Sequence, residues 1–247
     1  MYKNKKVVVV MPAYNAALTL KKTLDEVPMD LVDEIILCDD ASKDETFQLA
    51  NSLGIHHCIR HEENRGYGGN QKTLYRKSLE IGADIVIMLH PDYQYTPKLI
   101  PSMVNIIGEG IFPVVLGSRI LGKGALQGGM PYYKYVFNRL LTLFQNMMVR
   151  YKLSEYHTGY RAFSRTVLTS IAFEKNSNDF VFDNEMLSQI IMKKFDIAEI
   201  SCPTKYFDEA SSINFRRSVR YGLGVMVVSC KHALHRMGVA RFEIYSS

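Results

Sequence analysis

The chain has 247 residues, 47% of them hydrophobic, enough for one sizeable core with room for an appendage. Its net charge of +5 is unevenly placed: beyond residue 210 six basic residues face a single acid, and the rest is formally neutral. That basic tail carries no nucleic-acid-binding motif, so nucleic acid is set aside as a partner. Four widely spaced cysteines without a C-x-x-C pair read as reduced thiols rather than a disulfide framework.

In chain order, residues 1–6 lead directly into a strand, so no signal peptide is expected. Residues 7–11 form a buried strand ended by Pro12-Ala13-Tyr14-Asn15. A helix over 19–27, a second buried strand over 34–38, a helix over 45–53 and a short strand over 57–59 follow. The glycine-rich turn Asn64-Arg65-Gly66-Tyr67-Gly68-Gly69 opens a helix that runs to about residue 81. The strand at 84–88 precedes a helix over 97–107 and a strand over 114–116 ending at Gly117-Ser118-Arg119. Near-continuous apolar strands separated by helices predict an α/β protein whose mostly parallel sheet is covered on both faces.

Beyond Arg119 helices are predicted over 132–150 and 183–195, a strand over 197–202 and a last helix over 215–237. The helix at 132–150 is interrupted by Lys134, Asn138, Arg139, Gln145 and Asn146. It is too polar to cross a bilayer, which takes ~20 predominantly apolar residues. The expected organisation is an α/β body over 1–210 and a basic amphipathic C-terminal helical segment over 211–247.

In such sheets ligands collect beyond the carboxyl ends of the strands. Tyr14 and Asn15, Asp39 and Asp40, and His90, Asp92 and Gln94 all follow strand ends and should share one rim. Each group has two readings. Asp39 and Asp40 either cap a turn or accept hydrogen bonds from a ribose diol or a base N–H. His90-x-Asp92-x-Gln94, bracketed by Pro91 and Pro97, is either a turn or three ligands on one side of an extended segment. Oxygen ligands there suit Mg²⁺, and a histidine nitrogen favours Mn²⁺. Gly66-x-Gly68-Gly69 is a tight turn or a helix N-terminus that holds an anion.

Taken together, these residues resemble an inverting family 2 glycosyltransferase with the GT-A fold, near the dolichyl-phosphate mannosyltransferase and polyprenyl-phosphate glycosyltransferase group. The resemblance rests on six motifs in order: residues 12–15, 39–46, 64–68, His90-Pro91-Asp92-Tyr93-Gln94, 117–119 and Thr158-Gly159-Tyr160-Arg161-Ala162-Phe163-Ser164. It implies a Rossmann-like central sheet flanked by helices. Pro12, Tyr14, Asn15, Asp39, Asp40, Asn64 and Gly66 would hold a UDP- or GDP-linked sugar. Asp92 takes the place of the second aspartate of the family's D-x-D metal motif, with Gln94 after it, and the implied cofactor is Mn²⁺ or Mg²⁺. Arg119 and Arg161 would lie near the diphosphate, the sugar or the acceptor phosphate. The chain differs from the family pattern at His90, where an aspartate is usual, at Ala16, where an acid often stands, and over 207–213.

Inverting transfer needs a competent nucleophile: a sugar hydroxyl requires a general base, whereas a lipid phosphate is already anionic. Asp183 and Glu185 are the candidate bases, or else exposed charges on a first helical turn. A helix with basic ends and an apolar middle lies in the plane of lipid headgroups or packs on its own domain. In the first case Arg216, Arg217 and Arg220 would meet a polyprenyl or dolichyl phosphate, the chain contacting the inner, cytoplasmic face of a membrane peripherally. Transfer to a saccharide hydroxyl, a catalytically weak nucleotide-sugar binder and a homo-oligomer stay open.

Overall fold

A computed structural model of the chain describes residues 1–122, 124–204 and 215–245. Strand β1 (Val7–Ala13) is built from β-branched residues that stiffen χ1 and suit a pleated surface. Its side chains divide by parity: Val8 and Val10 join one apolar cluster and Val7, Val9 and Met11 the other. Both faces of the sheet are therefore core. In chain order there follow α1 (Leu20–Asp25), β2 (Glu34–Asp39), α2 (Thr46–Ser52), β3 (His57–Arg60), α3 (Gly66–Glu80), β4 (Ile85–Met88), α4 (Ile100–Gly108) and β5 (Val114–Ser118). The second half comprises α5 (Gly124–Gln127), α6 (Tyr132–Val149), β6 (Arg161–Ser164), α7 (Arg165–Ser170), α8 (Phe182–Met192), β7 (Ile197–Ser201) and α9 (Phe215–Arg236).

The seven strands are ordered β3-β2-β1-β4-β6-β5-β7. All pairings are parallel except those of β6, which lies antiparallel between β4 and β5. The mostly parallel sheet is thus as expected, and β6 is an element that the sequence pattern did not reveal. With only Arg161-Ala162-Phe163-Ser164 in register, it is too short for alternation to register. Its direction matters, because it brings the loop before Arg161 to the rim where the parallel strands end.

Tyr75 of α3 and Met186, Leu187 and Ile190 of α8 cover one face, while Leu20 of α1, Ala50 of α2 and Met103 of α4 cover the other. Each fully buried Leu, Ile or Met side chain among them contributes about 1.5–3 kcal/mol. Helix α9 packs against α6 and α8. The boundary expected near residue 210, and the departure over 207–213, lie outside the described residues. No described helix is long and apolar enough to cross a membrane.

Candidate active site

A cleft of about 1250 Å³ lies over the carboxyl ends of β1, β2 and β4. It is lined by Tyr14 and Asn15 after β1, Asp40 after β2, and His90, Asp92 and Gln94 after β4. The convergence expected from strand ends is therefore present. Asp39 does not join it. It is fully buried, its Oδ1 accepts from Ser42 N at 3.2 Å, and its Oδ2 lies 3.4 Å from Arg60 Nε with no hydrogen bond directed at it.

The nearest loops are tied to each other. Asn15 sits in the left-handed region (φ 51°) and its Oδ1 accepts from Lys43 N at 2.9 Å, while Ser42 Oγ accepts from Asn15 N at 2.8 Å. Asp40 accepts from His61 Nδ1 at 2.7 Å, Arg65 N at 2.9 Å and Gly66 N at 3.0 Å, capping the start of α3. Asn64 Nδ2 donates to Asp40 O at 3.2 Å, and its Oδ1 accepts from Gly66 N at 3.1 Å. Asn64, Gly66 and Tyr67 line the cleft, but the glycine amides are taken up within the protein: Gly68 N and Gly69 N donate to Asn178 O at 2.8 and 3.3 Å, which favours the tight-turn reading. The glycines serve close packing: Gly66 has φ 82°, and a Cβ there would meet Asn178 O at 2.5 Å.

The segment after β4 is a turn, not an extended strand. Strand pairing stops at Met88, and Tyr93 has φ 58°. His90, Asp92 and Gln94 reach one cleft through this turn, in which Asp92 Oδ1 accepts from Gln94 N at 3.1 Å. The strand-alternation argument is corrected, although the three side chains it grouped are neighbours of the same space. His90 stacks on Tyr67, with centroids 5.6 Å apart, and its Nε2 lies 3.2 Å from the Tyr67 hydroxyl.

The opposite wall comes from the second half. Arg119 lines the cleft but is held by Glu155, with a 2.9 Å bond from Nε to Oε1, and donates to His157 O at 2.9 Å. Burial pushes Glu155 upward, yet the Arg119 guanidinium holds its carboxyl below the ordinary range. Arg161 is not a cleft residue. It is buried to 1% exposure and spends its donors on Thr158 O, Asp183 O and Tyr156 O at 2.8, 2.8 and 3.0 Å. It knits β6 to α8 instead of meeting a phosphate.

Asp183 and Glu185 are both buried rather than exposed first-turn charges. Asp183 reaches the cleft, accepting from Tyr67 OH at 2.7 Å and Gln71 Nε2 at 3.1 Å, with Arg161 Nη2 at 3.7 Å. Glu185 turns away and accepts from Ser177 N at 2.6 Å, burial raising its pKa. Arg217 and Arg220 are exposed at the mouth of the cleft. Arg216 belongs to α9, but its side chain is outside the described set.

Sequence reasoning missed Tyr67 and His157, each inside or beside a motif already singled out. The Tyr67 phenol is held well above its usual pKa by burial first and the Asp183 charge second, so it stays a donor. His157 also lines the cleft. Gln145 Nε2 donates to Asn184 Oδ1 at 2.9 Å, Asn184 Nδ2 donates to Tyr221 OH at 2.6 Å, and that hydroxyl lies 2.8 Å from His157 Nδ1. With Tyr221 accepting from Asn184 and its own hydroxyl donating to Nδ1, the imidazole hydrogen stands on Nε2, the tautomer that this bonding pattern assigns. Burial pushes the His157 pKa down to about 4, so the ring is neutral, and Nε2 has no hydrogen-bond partner among the described residues.

Comparisons with known proteins bear on the family and the fold. The chain is 27% identical over 219 residues to a UDP-N-acetylglucosamine–dolichyl-phosphate N-acetylglucosaminyltransferase of Methanococcus voltae, covering 82% of this chain and 87% of that protein. It is 26% identical over 137 residues to a dolichol-phosphate mannosyltransferase of Pyrococcus furiosus, 54% of this chain and 38% of that one. Its fold is similar to that of glucosyl-3-phosphoglycerate synthase from Mycobacterium tuberculosis solved with UDP, at a TM-score of 0.70, 21% identity, and coverage of 96% and 82% of the two chains. Residues 8–171 match the model of glycosyl transferase family 2, so the chain belongs to that family and is a glycosyltransferase of the GT-A fold.

Proposed function

We propose that the chain moves a sugar, with inversion, from a nucleoside-diphosphate donor to a polyprenyl or dolichyl phosphate at the cytoplasmic face of a membrane. One observation carries the choice of acceptor. Both carboxylates that could deprotonate a hydroxyl already have donors: Asp183 reaches the cleft but accepts from Tyr67 and Gln71, and Glu185, which does not line the cleft, accepts from Ser177 N. A phosphate acceptor needs no base, and Arg217 and Arg220 stand at the mouth to meet its charge. The relatives that act on dolichyl phosphate support the same acceptor class.

In this reading Tyr14 and Asn15 face the nucleoside end, with Asp40 holding the loop that shapes it. A divalent cation fits the donor set. Asp92 offers a carboxylate, Gln94 an amide oxygen and His90 a nitrogen. Among the described residues no group of three or more His, Cys, Asp or Glu is placed to hold a metal ion, so most ligands would come from the diphosphate and water. That division suits Mg²⁺ or Mn²⁺ better than a closed protein cage. Bound there, the ion would neutralise charge on the departing diphosphate. A phosphate oxygen of the acceptor attacks the anomeric carbon as its bond to the donor's β-phosphate breaks. The nucleoside diphosphate then leaves carrying the electron pair. Tyr67 holds Asp183 and His90 in place, and His157 offers its Nε2 hydrogen to an oxygen in the cleft.

The test is a panel of UDP-, GDP- and dTDP-sugars with a polyprenyl phosphate and Mn²⁺ or Mg²⁺, read as glycolipid formed. Asp92→Asn should reduce kcat/KM by ~10³-fold, equivalent to about 4 kcal/mol of transition-state stabilisation, with folding intact. Turnover only with a saccharide acceptor would overturn the acceptor, and sugar-nucleotide binding without any turnover would leave a binder.

A further inference from the structure

Helix α6 buries a largely polar face, with Leu141 and Val149 as its buried apolar residues, and turns an apolar stripe outward. Its inward face carries Asn138, Thr142 and Gln145, all buried, with Asn138 donating to Glu155 Oε1 at 2.9 Å and Gln145 to Asn184 Oδ1 at 2.9 Å. Its outward face carries Tyr133, Phe137, Leu140, Leu143 and Met147 at helical spacing, the last three 60%, 56% and 61% exposed. An amphipathic helix ordinarily turns the other way, because each apolar group left in water forgoes its burial. Here the inward amide N–H groups and the Thr142 hydroxyl bond to partners inside the protein, so the orientation is fixed by bonds and the exposed stripe is what remains.

A second stripe adjoins it. On α9, Val219, Leu223 and Val227 follow one another at four-residue intervals and are exposed. The two helices touch: a Cβ added at Gly222 would lie 3.1 Å from the Phe137 ring. Contiguous exposed apolar surface of this kind marks a contact site.

We propose that the outward faces of α6 and α9 together form a docking surface for an anionic lipid bilayer. Charge selects this occupant. Neither helix contains an aspartate or glutamate, while Lys134 and Arg139 on α6 and Arg217, Arg220, Lys231 and Arg236 on α9 are basic. A second copy of the same face would bring like charges together, whereas an anionic headgroup layer complements them. Tyr132 and Tyr133, both exposed, suit the water–headgroup boundary. The cleft opens between the starts of these same helices, through Lys134 and Asn138 on one side and Arg217, Arg220 and Tyr221 on the other. A lipid phosphate would enter there with its chain left along the apolar face. The inference deepens the lipid-phosphate reading and rests on it only for what enters the cleft.

Flotation of the purified full chain with vesicles of phosphatidylcholine and phosphatidylglycerol tests it, against phosphatidylcholine alone and at raised salt. The wild type should float with the anionic vesicles, less with the neutral ones and less in high salt. The triple variant Leu140→Gln, Leu143→Gln, Met147→Gln removes outward groups that do not line the cleft. It should keep the wild-type melting temperature, bind vesicles about tenfold or more weakly, and keep full activity toward a short, water-soluble isoprenyl phosphate. Equal flotation of variant and wild type would overturn the proposal, as would a wild type that ignores vesicles but forms a dimer the variant lacks. Docking without transfer to any lipid phosphate upholds the surface and defeats only the acceptor assignment.

Discussion

On the wall built from β1, β2 and α3, the polar groups bond to one another: Asp40 to the amides of Arg65 and Gly66, Asn15 to Lys43 N, and the first amides of α3 to Asp40 and Asn178. On the wall built from α6, α8, α9 and the loop before β6, His157 Nε2 has no hydrogen-bond partner among the described residues and Arg217 and Arg220 are exposed. The first wall carries most of the recognisable motif residues and uses many of them to hold its own loops. The second carries fewer, yet it lines the same cleft with His157 and with the exposed Arg217 and Arg220. Motif residues build the frame here, and several recognition groups stand beside them.

The sharpest way to break this contrast is Arg161→Met. If Arg161 serves the fold, its loss strands three buried carbonyls and the Asp183 charge, and should cost ~3–5 kcal/mol in a denaturant titration. A stable Arg161→Met protein with a raised KM for donor or acceptor would return Arg161 to the site. Next comes Gly66→Ala, which places a Cβ against Asn178 O in a left-handed backbone. It should destabilise by ~1–3 kcal/mol while leaving donor KM unchanged at a permissive temperature. A selective rise in KM would mean that the turn binds phosphate after all.

On the other wall, His157→Ala should lower kcat/KM by ~10–100-fold with little change in melting temperature, the loss expected for one hydrogen bond to a charged oxygen. Tyr221→Phe should move in the same direction by less, since it frees the tautomer without removing the ring. Equal activity in both variants would remove His157 from the site.

The smallest effect is a pH dependence. Burial lowers the pKa of His157 and of His232 to about 4, from an ordinary value of 6.5. Between those values the unfolded chain holds protons that the folded chain does not, so stability should fall as pH drops from 6.5 toward 4. His232→Gln should flatten part of that slope, and an unchanged slope would show that the His232 ring does not stay neutral in the fold.

Strand positions, the parallel sheet and the convergence of the residues after β1, β2 and β4 were readable because buried strands leave uninterrupted apolar runs and chain order implies where their ends point. The place of Asp40 was readable too, but its use was not: hydrogen bonds to Arg65 and Gly66 span some 25 residues of sequence. The same limit hid the His157 relay, whose members lie on three helices and one loop.

By itself the amino-acid sequence determined the family, the α/β layering and the basic end of the chain, since periodicity, motif order and charge are local properties. Only the tertiary structure decided that Arg161 faces inward, that β6 runs backwards to bring His157 to the rim, and which side of α6 meets water. Direction and burial depend on what a side chain finds across space, and for α6 the polar partners on β6's approach and α8 outweighed the apolar stripe.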